Sequence, residues 1–127
     1  TRPSPMTDAS AEIPHFDAVA IEKLRSVAGD QGGAFVAEIA QLFLDEATKS
    51  VDDLQVCRDQ GNWKQVTRIA HSLKSSSATL GLMRLSAACK ALELDTKGGD
   101  SSPRTGALTA DLLEEFEQAR PTLKSLT

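Results

Sequence analysis

Arg68-Ile69-Ala70-His71-Ser72-Leu73-Lys74-Ser75-Ser76-Ser77-Ala78-Thr79-Leu80-Gly81 is the stretch on which the reading of this chain turns. At about 3.6 residues per turn, Val66, Ile69, Ala70, Leu73, Ser77 and Leu80 fall on one stripe, the pattern of a helix laid against a core. His71 lies well over a quarter turn from that stripe. Lys64, Thr67, Arg68, Ser75 and Ala78 share its side of the helix, and Lys74 sits on the shoulder between the two faces. Residues three and four apart are surface neighbours on a helix. Lys74 and Arg68 therefore flank the imidazole, and the small side chains of Ser75 and Ala78 keep the surface beside it low.

Working outward, the same period organises most of the chain. Asp17 is placed to cap a first helix from Ala18 to Ala28, which Gly29 ends. A long helix is expected from Ala34 to Asp59, with Phe35, Ile39, Leu42, Phe43, Val51, Leu54 and Cys57 inward. Gly61 closes it, and Asn62 caps the next helix, Trp63 to Thr79. A fourth helix is expected from Met83 to Asp95, with Leu85, Ala88, Cys89 and Leu92 inward. The breaker-rich run Lys97 to Pro103 leads to a last helix, Arg104 to Leu126, where Pro121 should kink or end the helix. Residues 1 to 14, with Pro3, Pro5 and Pro14, carry no core stripe and read as a tail or linker ahead of a domain spanning residues 15–127. No segment alternates as a strand does. The fold class is all-α, an antiparallel up-and-down four-helix bundle with a short additional N-terminal helix.

Composition narrows the function classes. The 127 residues suit one domain with a modest core. A formal net charge of −4 argues against a general nucleic-acid binder. Aromatic residues are only 4% of the chain, with no tyrosine, so aliphatic side chains must build the interior. The two cysteines, Cys57 and Cys89, stand in helical patterns outside any CxxC pair and read as buried thiols. No apolar run reaches the ~20 residues that cross a bilayer, and no signal peptide is visible. The expected setting is cytoplasmic, which is compatible with a membrane-anchored parent. The chain opens on Thr1, as expected of a piece excised from a longer protein. No acidic cluster is placed for a metal, so no metal ligands are assigned.

Several motifs belong together. The chain reads Leu42-Phe43-Leu44-Asp45-Glu46-Ala47, then Gly61-Asn62-Trp63, then Ala70-His71-Ser72-Leu73-Lys74, then Leu80-Gly81, then Leu85 through to Leu92-Glu93. In order and spacing, over nearly half its length, this resembles the histidine-containing phosphotransfer (HPt) domain family of multistep phosphorelays. The resemblance implies a four-helix bundle without kinase activity of its own, which takes a phosphoryl group from an aspartate of one response-regulator receiver domain and passes it to another. It implies His71 as the phosphoacceptor and Lys74 as the cation that stabilises the phosphoryl group. It also implies that Mg2+ and the aspartate come from the partner. The family usually has glycine after the lysine, and this chain has Ser75, a small residue whose hydroxyl is able to donate to a phosphoryl oxygen.

The chemistry suits the residues. An exposed imidazole attacks phosphorus without a deprotonating base, and phosphoryl transfer rests mainly on positioning and charge stabilisation. Ser75, Arg68 and Ala78 are expected near the phosphoryl group. Lys64, Thr67, Arg84, Leu44, Ala47 and Leu82 are candidates for the partner surface, with Met83 and Ala78 beside them. Trp63 reads as a packing anchor, His15 as incidental, and Asp111, Glu114, Glu115 and Glu117 as a solvated face. A monomer is expected, with no nucleic-acid or direct membrane contact. The expected parent is a hybrid histidine kinase. The alternative is a helical adaptor that binds a receiver or kinase domain without carrying phosphate.

Overall fold

A computed structural model describes residues 13–127. Helix α1 spans Ala18–Ala28, α2 Gly32–Asp59, α3 Trp63–Thr79, α4 Met83–Thr96 and α5 Thr105–Leu126, with a short 3-10 turn, Gly29–Gln31, between α1 and α2. Helices α2 to α5 pack in a closed ring, each against the next and α5 back against α2, while α1 lies mainly on α2. Short joints after α2 and α3 leave no room for a crossover, so successive helices run antiparallel. The tail expected over residues 1–14 falls almost wholly outside the described residues.

The caps act where the sequence places them. Asp17 Oδ1 accepts from Val19 N at 3.0 Å and Asn62 Oδ1 from Gln65 N at 3.3 Å, each satisfying an amide that a helix start leaves without a partner. Gly81 turns α3 into α4 with φ 77°, in the left-handed region. A Cβ at this position would run into the Asp17 carbonyl. Asp17 N donates to Gly81 O at 2.8 Å, pinning the entry to α1 onto the α3–α4 turn.

Three expectations change. Helix α2 begins at Gly32 rather than Ala34, because Gly32 is buried against α1, where a Cβ would stand 2.7 Å from the Arg25 carbonyl oxygen. The inward stripe of α2 is Val36, Ala40, Phe43, Leu44, Ala47, Val51 and Leu54. Leu42, about 100° around the helix from Phe43, points outward and is 62% exposed. Pro121 does not end α5, which continues to Leu126 because Leu123, beyond the proline, is fully buried. At the centre Phe116, Leu54, Leu85, Leu92 and Leu112 are almost completely enclosed. The buried hydroxyls of Ser77 and Thr109 return to their own helices, to Leu73 O at 2.6 Å and to Thr105 O at 2.8 Å, which offsets the cost of desolvating them.

Candidate functional site

The outer face of α3 meets α4 in a set of polar ties that fix the register of the two helices. Ser86 Oγ donates to the Lys74 carbonyl at 2.9 Å, and the Thr67 and Thr96 hydroxyls meet at 2.7 Å. Between these ties, Glu93 of α4 comes level with the histidine turn of α3. Its Oε2 lies 2.7 Å from His71 Nδ1 and its Oε1 2.7 Å from Lys74 Nζ. The carboxylate is largely covered, at 17% exposure, whereas the His71 side chain is 61% exposed.

The proton arrangement follows from the chemistry of the carboxylate. The Lys74 ammonium holds the Glu93 carboxyl below its ordinary value, burial pushes the other way, and the His71 contact adds to the lowering. An ionised carboxylate only accepts, so the hydrogen on the shared edge belongs to His71 Nδ1. In the neutral imidazole that assignment leaves the Nε2 lone pair free, on an exposed side chain. The site therefore holds an oriented ring nitrogen with a free lone pair, a largely covered carboxylate that fixes its tautomer, and a cation one turn along.

The other candidate residues divide. Ser75 and Arg68 are exposed on the His71 face, with Arg68 Nη1 only 3.4 Å from Gln65 Oε1. Ala78 is half-buried and lines a shallow groove with Val19, Lys23, Val27 and Met83. Lys64 is exposed, its aliphatic stem lying beside Gly99. Thr67 is turned toward α4, its hydroxyl donating to Trp63 O at 2.9 Å as well as meeting Thr96. Arg84 is not a free cation: Nε donates to the Ile13 carbonyl at 2.8 Å and ties down the approach to α1. Leu44, Ala47 and Leu82 are core residues with at most 8% exposure, which removes them from the partner surface. The apolar side chains that reach the surface nearby are Leu42, Val19 and Val27. Leu42 forms a groove with Ile39 and Phe43 of α2 and with Ser76 and Thr79 of α3.

Trp63 packs against the core, while His15 Nε2 approaches Thr122 Oγ1 at 3.3 Å rather than standing free. Glu115 is half-buried, unlike the exposed Asp111, Glu114 and Glu117. Among the described residues, no three His, Cys, Asp or Glu side chains are grouped to hold a metal ion, and no helix is long and apolar enough to cross a membrane. Glu93 closes the Leu92-Glu93 motif, but nothing local in the sequence assigns it to His71. Its partnership with His71 spans 22 residues and depends on the α3–α4 register.

Comparison with known proteins gives the family of the chain. Histidine-containing phosphotransfer protein 2 of Oryza sativa subsp. japonica is 33% identical over 64 residues, covering 47% of this chain and 43% of that protein. Histidine-containing phosphotransfer protein 5 of Arabidopsis thaliana is 31% identical over 70 residues, covering 53% and 45%. The chain thus spans less than half the length of these curated relatives. The crystal structure of histidine-containing phosphotransfer protein B from Pseudomonas aeruginosa PAO1 superposes with a TM-score of 0.77 at 25% identity, over 88% of this chain and 93% of that one. The Hpt domain family model matches residues 38–120, which include His71, Lys74 and Glu93. By this match, which covers well over half its length, the chain belongs to the Hpt domain family.

Proposed function

We propose that this domain is a phosphorelay intermediate that accepts a phosphoryl group on His71 from a receiver-domain aspartate and hands it to a second receiver. The observation that carries this reading is the exposed His71 ring held through Nδ1 by Glu93. In the forward step the Nε2 lone pair forms the N–P bond while the aspartyl O–P bond breaks and the carboxylate leaves with its electron pair. The Nδ1 proton stays shared with Glu93, which offsets the positive charge that the phosphorylated ring acquires. The return step reverses these changes. Lys74, beside the same carboxylate, supplies positive charge where the phosphoryl oxygens gather.

In this reading the partner brings the aspartate and its Mg2+, and this chain has no kinase activity of its own. The receiver docks over the exposed apolar side chains Leu42, Val19 and Val27, whose grooves meet the C-terminal end of α3 at Ser76, Ala78 and Thr79. The donor is the receiver of a hybrid histidine kinase, and the setting is cytoplasmic. A receiver labelled on its aspartate should transfer the label to this chain in an acid-labile, base-stable form. Replacing His71 with glutamine should abolish uptake with the helical spectrum unchanged. Uptake that persists in H71Q removes His71 from the role, and receiver binding without any transfer makes the domain an adaptor.

A further inference from the structure

Lys74, the cation nearest the imidazole, is already committed. Its Nζ stands 2.7 Å from Glu93 Oε1, and its side chain is only 29% exposed. A phosphoryl group on His71 would share Lys74 with Glu93, which leaves room for a further donor on the open side of the ring. The residue one turn on is Ser75, at the i+4 position, where side chains face one another at ~5–6 Å between Cβ atoms. Helical side chains lean toward the N-terminus, so the Ser75 side chain leans over the His71 turn. Ser72 and Ser76 lie farther around the helix. The Ser75 carbonyl accepts from Thr79 Oγ1 at 3.1 Å, but among the described residues its own hydroxyl has no partner. The hydroxyls of Ser77, Thr79 and Ser86 are all bonded to backbone carbonyls.

We propose that the Ser75 hydroxyl is a phosphoryl-contacting donor, which binds an oxygen of the group carried on His71 Nε2. The inference rests on His71 being the phosphoacceptor. Its consequence is that phosphate is held more tightly on this histidine than the Lys74–Glu93 pair alone achieves. A hydrogen bond from a neutral donor to an anionic oxygen favours the more highly charged form of the phosphoryl group.

Phosphoramidate, a small-molecule phosphoryl donor, separates this claim from the reading beneath it. The phosphoramidate P–N bond breaks as Nε2–P forms, and the amine leaves with the electron pair, takes up a proton and departs as ammonia. The 127-residue chain is labelled in a His15→Gln background, and the 31P signal of the phosphohistidine is followed through a pH titration. Ser75→Ala should weaken the hold on the dianion about fivefold, moving the titration midpoint upward, while Ser75→Thr keeps it within about twofold of the parent. Alanine is the better helix former, so a loss of helix does not explain that result. Midpoints that coincide in the parent and S75A overturn the role of Ser75. No label at His71 in any chain overturns the phosphoacceptor reading itself.

Discussion

His71 and Glu93 face each other across the α3–α4 seam at 2.7 Å, with the histidine exposed and the carboxylate mostly covered. In the proposed role the asymmetry divides the work: the covered partner orients the ring and the open one reacts, and the same carboxylate also binds Lys74 through its other oxygen. Three side chains that would each be mobile alone are thereby held in one arrangement.

Removing the carboxylate should cost both orientation and charge pairing. Glu93→Ala is expected to slow phosphoryl uptake from a labelled receiver about tenfold or more, as when an orienting partner of a functional histidine is lost. Glu93→Gln keeps an oxygen to accept from Nδ1–H and should lose less. Stopped-flow or quench-flow transfer rates check the order, which runs parent, E93Q, E93A. A rate in E93A equal to that of the parent would mean that the ring needs no such support.

How far the residues foretold this site depends on the distance over which each relationship acts. The inward stripe of α3 is a property of one helix, and all six of its expected members, from Val66 to Leu80, are buried. The caps at Asp17 and Asn62 are equally local. Leu42 and Leu44 were harder, because α2 is 28 residues long and apolar on more than one side, so period alone left the inward direction ambiguous. Glu93, Arg84 and Ile13 needed tertiary information. Each meets its partner only after the turn at Gly81 or the return of the N-terminal segment has set a register that no single helix encodes.

A second carboxylate should govern stability rather than chemistry. Asp95 accepts from Ser102 Oγ at 2.6 Å and from Thr105 Oγ1 at 2.5 Å, closing the loop between α4 and α5. The Ser102 hydroxyl, then that of Thr105, holds the carboxyl below its ordinary value of 3.8. A lowered folded value means the contribution is complete above the unfolded value and is lost as pH falls through the folded one. The parent should therefore lose this support below about pH 4, together with that of Glu93, whose value is also lowered. Asp95→Ala should destabilise by about 1–2 kcal/mol at neutral pH, seen as a lower Tm, and flatten the acid limb of the stability profile without changing transfer.

Gly81 is expected to tolerate no side chain. Gly81→Ala meets both the positive φ and the Asp17 carbonyl, and should cost about 1–3 kcal/mol. Urea unfolding gives the magnitude. Hydrogen exchange should locate the added mobility at Asp17, whose amide bonds to the Gly81 carbonyl. A substitution that leaves that amide as protected as before contradicts the pinning of α1 to this turn.

The cysteines should separate by reactivity. Burial, with the Glu93 charge adding to it, pushes the Cys89 thiol up to about 12, whereas Cys57 is only half-buried. Because the thiolate is the nucleophile, iodoacetamide at pH 8 should modify Cys57 first and leave Cys89 untouched until the protein unfolds. Intact-mass measurement should then give one adduct in the native state and two in denaturant. Two adducts at equal rates in buffer would place Cys89 within reach of solvent.

Neighbouring leucines on α2 offer the sharpest test of the docking surface. Leu42 is 62% exposed and Leu44 only 8%. Leu44→Ala should open a cavity and destabilise by about 2–4 kcal/mol. Leu42→Glu removes apolar surface that is already in water, so its effect on stability should stay within about 0.5 kcal/mol. On receiver binding the ranking reverses. L42E should weaken the complex about tenfold or more, because it places a charge in the apolar centre of a small interface, while L44A, assayed below its unfolding temperature, should bind nearly as the parent does. Titration calorimetry against one receiver, paired with thermal unfolding of each variant, measures both quantities. If L42E binds the receiver as tightly as the parent, docking uses a different face of the bundle.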